Sequence, residues 1–110
     1  MNPNIKPTDL SLSEKVLLDA GDAIRNRLKE HGHTERSFQM IADMWSVYIN
    51  HSFTIRGEVK LRAYDVAQMM DLVKKARSTY GYSEDNFVDG AGYTALAAML
   101  HPDREVKDEK

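Results

Sequence analysis

Three aspartates, two cations and a tyrosine in the C-terminal half have the types and spacing for chemistry on phosphate: Asp65, Asp85, Asp89, Lys74, Arg77 and Tyr93. Asp85 and Asp89 stand four residues apart, so on a helix their carboxylates stack on neighbouring turns. Two like charges so placed repel, and the repulsion is relieved by a cation between them: Arg77, Lys74 or a divalent metal. A hard cation with oxygen ligands, such as Mg²⁺, neutralises the charge that develops in triphosphate cleavage and activates a water. In that chemistry Asp85 and Asp89 are the catalytic carboxylates, and Asp65 joins them as a metal ligand. Lys74 or Arg77 clamps phosphate, Arg with bidentate geometry, and Tyr93 orients a sugar or phosphate oxygen. A structural reading stands beside it. Asp85 then complements a helix dipole, Asp89 pairs with Arg77 as a brace, and Asp65 satisfies free amides in the first turn of its own helix.

These residues need two helices to position them. The first is predicted over about 63–79, where Val66, Met69, Leu72, Val73, Ala76 and Tyr80 share one broad apolar face at about 100° per residue. Asp65 lies on that face, Asp71, Lys74 and Lys75 point away, and Arg77 sits at the edge. The second starts at a Ser83 cap and runs to about Leu100, with Asp85, Asp89, Gly92, Tyr93, Leu96 and Leu100 on one face. Gly90, Ala91, Gly92, Ala95, Ala97 and Ala98 keep it thin, so another backbone can come close.

Upstream, residues 1–10 form an irregular lead-in and Ser11-Leu-Ser-Glu14 reads as a capping box. Val16, Leu17, Ala20, Ala23, Ile24 and Leu28 then recur at three- and four-residue spacing, the mark of an amphipathic helix, and Gly32 is a natural stop. Thr34 is a good N-cap for a second helix over roughly 35–50, striped by Phe38, Ile41, Ala42, Trp45 and Tyr48. The short link predicts that these two helices fold into an antiparallel pair. In 51–62 the residues alternate about Gly57, a pattern that suits a short β-hairpin or an ordered loop. Residues 102–110 are almost wholly charged and read as a solvated tail. The expected fold is all-α: a compact four-helix bundle-like domain over 11–101.

Composition narrows the function. The 110 residues hold one domain's worth of core. Fifteen basic against seventeen acidic side chains give a formal charge of −2, which argues against a dedicated nucleic-acid binder. There is no cysteine, hence no disulfide framework and no thiolate zinc site. No apolar run approaches the ~20 residues of a membrane span, and the N-terminus lacks the apolar core of a secretion signal. The expected location is the cytoplasm, a host's cytoplasm if the gene is carried by a phage.

One set of residues also carries a resemblance: Gly32, Phe38, Ile41-Ala42, Trp45, Asp65-Val66-Ala67, Met69-Met70, Lys74, Ala76-Arg77, then Asp85-x-x-x-Asp89-x-Ala91-Gly92-Tyr93 with Ala95-Leu96. Over most of 14–100 it resembles a family of small phage and prophage proteins classed as a domain of unknown function. His31-Gly32-His33 replaces the Tyr-Gly-Asp-like turn expected there, and the 51–62 connection is longer. More distantly, the last two helices are similar to the MazG-like all-α nucleotide pyrophosphohydrolases. That likeness implies a homo-oligomeric helical bundle holding Mg²⁺ and a nucleotide, cleaving nucleoside triphosphate to monophosphate and pyrophosphate. Asp89 falls on the terminal Asp of that family's Glu-x-x-Asp motif, whereas the Glu before it falls on Asn86 and no Glu-x-x-Glu precedes it. Two expectations follow. One is a MazG-like protein that binds, and in its enzymatic form hydrolyses, a nucleotide with Mg²⁺. The other is a non-enzymatic phage accessory protein that oligomerises and binds a host or phage protein.

Overall fold

The structure, a computed structural model, describes residues 7–31 and 34–104. Four helices follow in order: α1 (Pro7–His31), α2 (Thr34–Ser52), α3 (Ala63–Ser78) and α4 (Glu84–Leu100). Among the described residues there is no strand. The all-α, four-helix bundle-like architecture expected from the periodicity is the one that forms.

α1 begins earlier than the Ser11 capping box implies. Pro7 takes its first position, where a missing backbone N–H costs nothing and the fixed φ suits the helix. Ser11 and Glu14 are therefore interior to α1. Gly32, the predicted stop, lies outside the described residues. At the other end, the start of the predicted tail folds back: Arg104 donates from Nε to the Met99 carbonyl at 2.9 Å. Residues 105–110 lie outside the described part.

Pairing along the chain departs from the short-link expectation. α1 and α2 barely touch; α1 packs on α4 and α2 on α3. Lys15 reaches Glu84 and Arg27 lies over Tyr93, so α1 and α4 run parallel. α3 and α4 make the closest pairing and run antiparallel, with Tyr64 beside His101 and Lys74 beside Asp89. A short loop favours neighbours but does not compel them. Here the thin surface of α4 accepts α1 more closely than α2 does.

The predicted hairpin at 51–62 does not form. An extended segment lies along α2, and α2 side chains supply the hydrogen bonds that a second strand would have supplied. Asn50 accepts from the Val59 N–H through Oδ1 and donates to the Val59 carbonyl, both at 2.8 Å. Ser46 Oγ accepts the Leu61 N–H at 2.8 Å while donating to the Ala42 carbonyl at 2.7 Å. Gln39 Oε1 accepts the Ala63 N–H at 3.1 Å. The period-two pattern was therefore real, but its hydrogen-bonding partner is a helix. Gly57 turns the link with φ +83°, a conformation costly for any residue with a Cβ.

Of the face predicted for α3, Val66 alone is buried. Leu72 is 62% exposed, while Met69, Val73 and Tyr80 are also turned outward. Asp71, expected to point away, is buried against α4. The reason is steric. Ala63 and Ala67 are small enough to let α3 settle against its neighbours, and Lys74 follows with its stem inside. The core among the described residues is correspondingly slight: Phe38, Ala42, Ala63, Val66, Ala67, Leu96 and Ala97, with Phe38 its largest side chain.

Candidate functional site

Asp65 is spent locally. Its Oδ2 accepts the Arg62 N–H at 2.8 Å and Arg62 Nε at 2.9 Å, and Oδ1 accepts a second guanidinium nitrogen at 3.1 Å. This is a capping box at the start of α3, with an ion pair laid over it. The Arg62 hydrogen bonds hold the Asp65 carboxyl below its ordinary pKa, against a smaller opposing push from burial. Stability from this cap is present above the unfolded-state pKa and is lost as pH falls through the depressed one.

The charged groups that do converge lie on the α3–α4 seam. Lys74 Nζ stands 3.1 Å from Asp89 Oδ2, its side chain only 15% exposed. One turn away, Lys75 donates to Asp71 Oδ2 at 2.5 Å, and Thr94 Oγ1 reaches the same oxygen from α4 at 3.4 Å. Asp71 Oδ1 is buried without a hydrogen-bond partner. Gly90 makes room for it: a Cβ there would lie 3.1 Å from Oδ1 and 3.9 Å from the Lys74 Cβ. The expected thinness of helix four is thus used at Gly90.

This contact gives a graded test. Gly90→Ala should be nearly neutral, since about 1 kcal/mol of helix propensity offsets the displacement of Asp71. Gly90→Leu should cost about 1–3 kcal/mol through overpacking. Urea melts of both variants measure the difference.

Asp89 therefore pairs with Lys74, not with Arg77 as expected. Arg77 is exposed and makes no ion pair with a described residue. Asp85 is exposed in the first turn of α4, where the helix dipole favours an acid. Tyr93 is half-buried, stacked on Phe38 with ring centroids 6.3 Å apart, and the Arg27 guanidinium lies 5.8 Å from its centroid. Asp89 and Tyr93 share a small cavity of about 90 Å³ with Ile24, Arg27, Gly92 and Leu96. Lys74 joins Asp71, Lys75, Ser78, Asn86 and Thr94 around a separate one of about 260 Å³.

Of the predicted ligands, Asp65, Asp85 and Asp89 are not brought together. Among the described residues no three acids or histidines come close enough to hold a metal ion. The nearest positive charge to Asp89 is Lys74, an ammonium where the metal reading needs a divalent cation.

Sequence reasoning missed Asp71 and Arg27. Asp71 follows Ala63 and Ala67 at four-residue steps, so a stripe of small residues was the available signal. Gln39, Ser46 and Asn50 were missed as well, although their seven- and four-residue steps put them on one polar stripe of α2 beside its apolar face.

Residues 15–101 match the family model described as a domain of unknown function, DUF6378. The chain belongs to the DUF6378 family. The match covers all of the α3–α4 seam and all but the first turns of α1, so the DUF6378 domain takes in parts of all four helices. No curated protein and no solved structure matches the chain. No helix among the described residues is long and apolar enough to cross a membrane.

Proposed function

We propose that this DUF6378 chain is a non-enzymatic phage accessory protein of the cytoplasm that works by association, its charged seam being a structural brace. One observation carries this reading: of the acids suited to metal, Asp65 and Asp89 already have counter-charges within the chain, as does the buried Asp71, and Asp85 stands apart from them in the first turn of α4. Asp65 has Arg62, Asp89 has Lys74 and Asp71 has Lys75. Large apolar side chains, by contrast, are uncovered on several helices. Host or phage proteins, and further copies of this chain, are its partners.

The nucleotide reading keeps one supporting observation. Asp71 and Asp89 face the α3–α4 seam from opposite helices, and the buried Asp71 Oδ1 has no donor. A MazG-like Mg²⁺ site for a nucleoside triphosphate would be built on these two acids, with its other ligands from a second subunit. The two readings separate in one experiment. Under the association reading, Mg²⁺ or Mn²⁺ leaves the melting temperature unchanged, and a panel of nucleoside triphosphates releases no pyrophosphate. Asp89→Asn then lowers apo stability by about 1 kcal/mol, because Lys74 loses a half-exposed partner. A metal-dependent rise in melting temperature that Asp89→Asn abolishes, or any pyrophosphate release, would install the nucleotide reading instead.

A further inference from the structure

Where the expected α1–α2 pairing fails, a cleft of about 870 Å³ opens between α1, the first half of α2 and the last turns of α4. Its size falls within the range of small-molecule sites. The lining is of two kinds. Thr34 and Arg36 bring polar groups from the first turn of α2, while Ile24, Met40, Leu96 and Met99 make an apolar wall.

Thr34 decides the chemistry. It is only 9% exposed, yet its hydroxyl makes no hydrogen bond to a described residue, not even the helix cap that its place in the sequence suggested. Among the described residues, the side-chain atom both sealed from solvent and without a partner is Asp71 Oδ1. The Thr34 oxygen is therefore not sealed, and it is reached from the cleft that the residue lines. The groups left unspent around it are donors. The first N–H groups of a helix have no acceptor on a preceding turn. Arg36 is exposed on the same turn and makes no ion pair with a described residue. Gln39, one turn on, is already committed: its Nε2 donates to Asp43 at 2.9 Å and its Oε1 accepts the Ala63 N–H at 3.1 Å.

We propose that this cleft binds a small apolar carboxylate. The head sits on the Thr34 hydroxyl, the first amides of α2 and the Arg36 guanidinium, and the hydrocarbon body lies along Ile24, Met40, Leu96 and Met99. The positive end of the helix dipole favours an anion there, and the guanidinium fork matches a carboxylate. Two acids also line the cleft, Glu35 and Asp43. Asp43 is seven residues past Arg36, ~10 Å along the helix, too far to oppose the head. Glu35 is adjacent to Arg36 and opposes a second negative charge, which selects a carboxylate over a phosphate dianion. Methionines suit the body of such a ligand because they adapt to its shape. The site stands whether or not the chain associates with a partner.

Octanoate titrated into the full chain, followed through its amide and methionine-methyl NMR signals, tests this. The amides of Thr34, Glu35 and Arg36 and the methyls of Met40 and Met99 should shift along one binding curve. Octanol and octylamine keep the body and change the head, and should bind at least about tenfold more weakly. Each methylene removed from the acid should weaken binding about two- to fourfold. Arg36→Gln should raise the octanoate dissociation constant about tenfold, and Thr34→Val about threefold. Thr34 is buried, so the Thr34→Val melting curve is recorded first; if that variant is unfolded, Arg36→Gln on the surface decides. Unmoved amides at 34–36, a dissociation constant indifferent to Arg36→Gln, or a flat chain-length series would overturn the proposal. So would octylamine binding as tightly as octanoate, which would give the cleft to cations through Glu35 and Asp43.

Discussion

Phe38→Ala is expected to cost about 3–5 kcal/mol, more than any other single truncation in this chain. Phe38 is 3% exposed, belongs to the core that α2 shares with α3 and α4, and stacks on Tyr93. Removing the ring opens a cavity where three helices meet, and the alanines around it have no side chain long enough to fill it. Urea denaturation followed by far-ultraviolet circular dichroism measures the effect. Phe38→Leu should recover most of the loss by keeping the volume. A cost below about 1 kcal/mol would mean that the helices are held together elsewhere.

The second large effect is expected at Asn50. Its amide both donates to and accepts from Val59, so Asn50→Ala removes two hydrogen bonds and leaves the half-buried Val59 backbone without partners. The expected loss is about 1–3 kcal/mol. Amide hydrogen exchange at Val59 should accelerate far more than exchange in α4. Asn50→Asp should not rescue it, because a carboxylate keeps the acceptor but sets negative charge against the Val59 carbonyl. If Asn50→Ala changes neither stability nor exchange, the link is held by Ser46 and Gln39 alone.

Much of the fold was legible in the residues. Helix starts and stops were marked by Thr34, Ser83 and Pro102, and the apolar spacing located all four helices to within a few residues except at the start of α1. Of the face predicted for α4, Gly92 and Leu96 are buried and Asp89, Tyr93 and Leu100 partly so, whereas Asp85 at its start is exposed. Asp65 followed its plainer reading, because Arg62, three residues away, is a local partner and local contacts need no knowledge of topology.

What the residues left open were choices between surfaces of similar quality. α3 offers two apolar faces, one bulky with Met69, Leu72 and Val73, the other small with Ala63 and Ala67. A hydrophobicity pattern favours the bulky face. Close packing against a thin α4 favours the small one, and it takes Asp71 and Lys74 inside with it. The partner of Asp89 turned on the same rotation: it put Lys74 at the seam and Arg77 in solvent. Likewise, alternation in 51–62 suited a hairpin or an ordered loop but carried no information on whether a strand or the polar stripe of α2 would bind it. Periodicity along one chain thus specifies which residues form helices, because the backbone hydrogen bonds are local. Which faces meet depends on the shape of the neighbour, and only the assembled helices decide that.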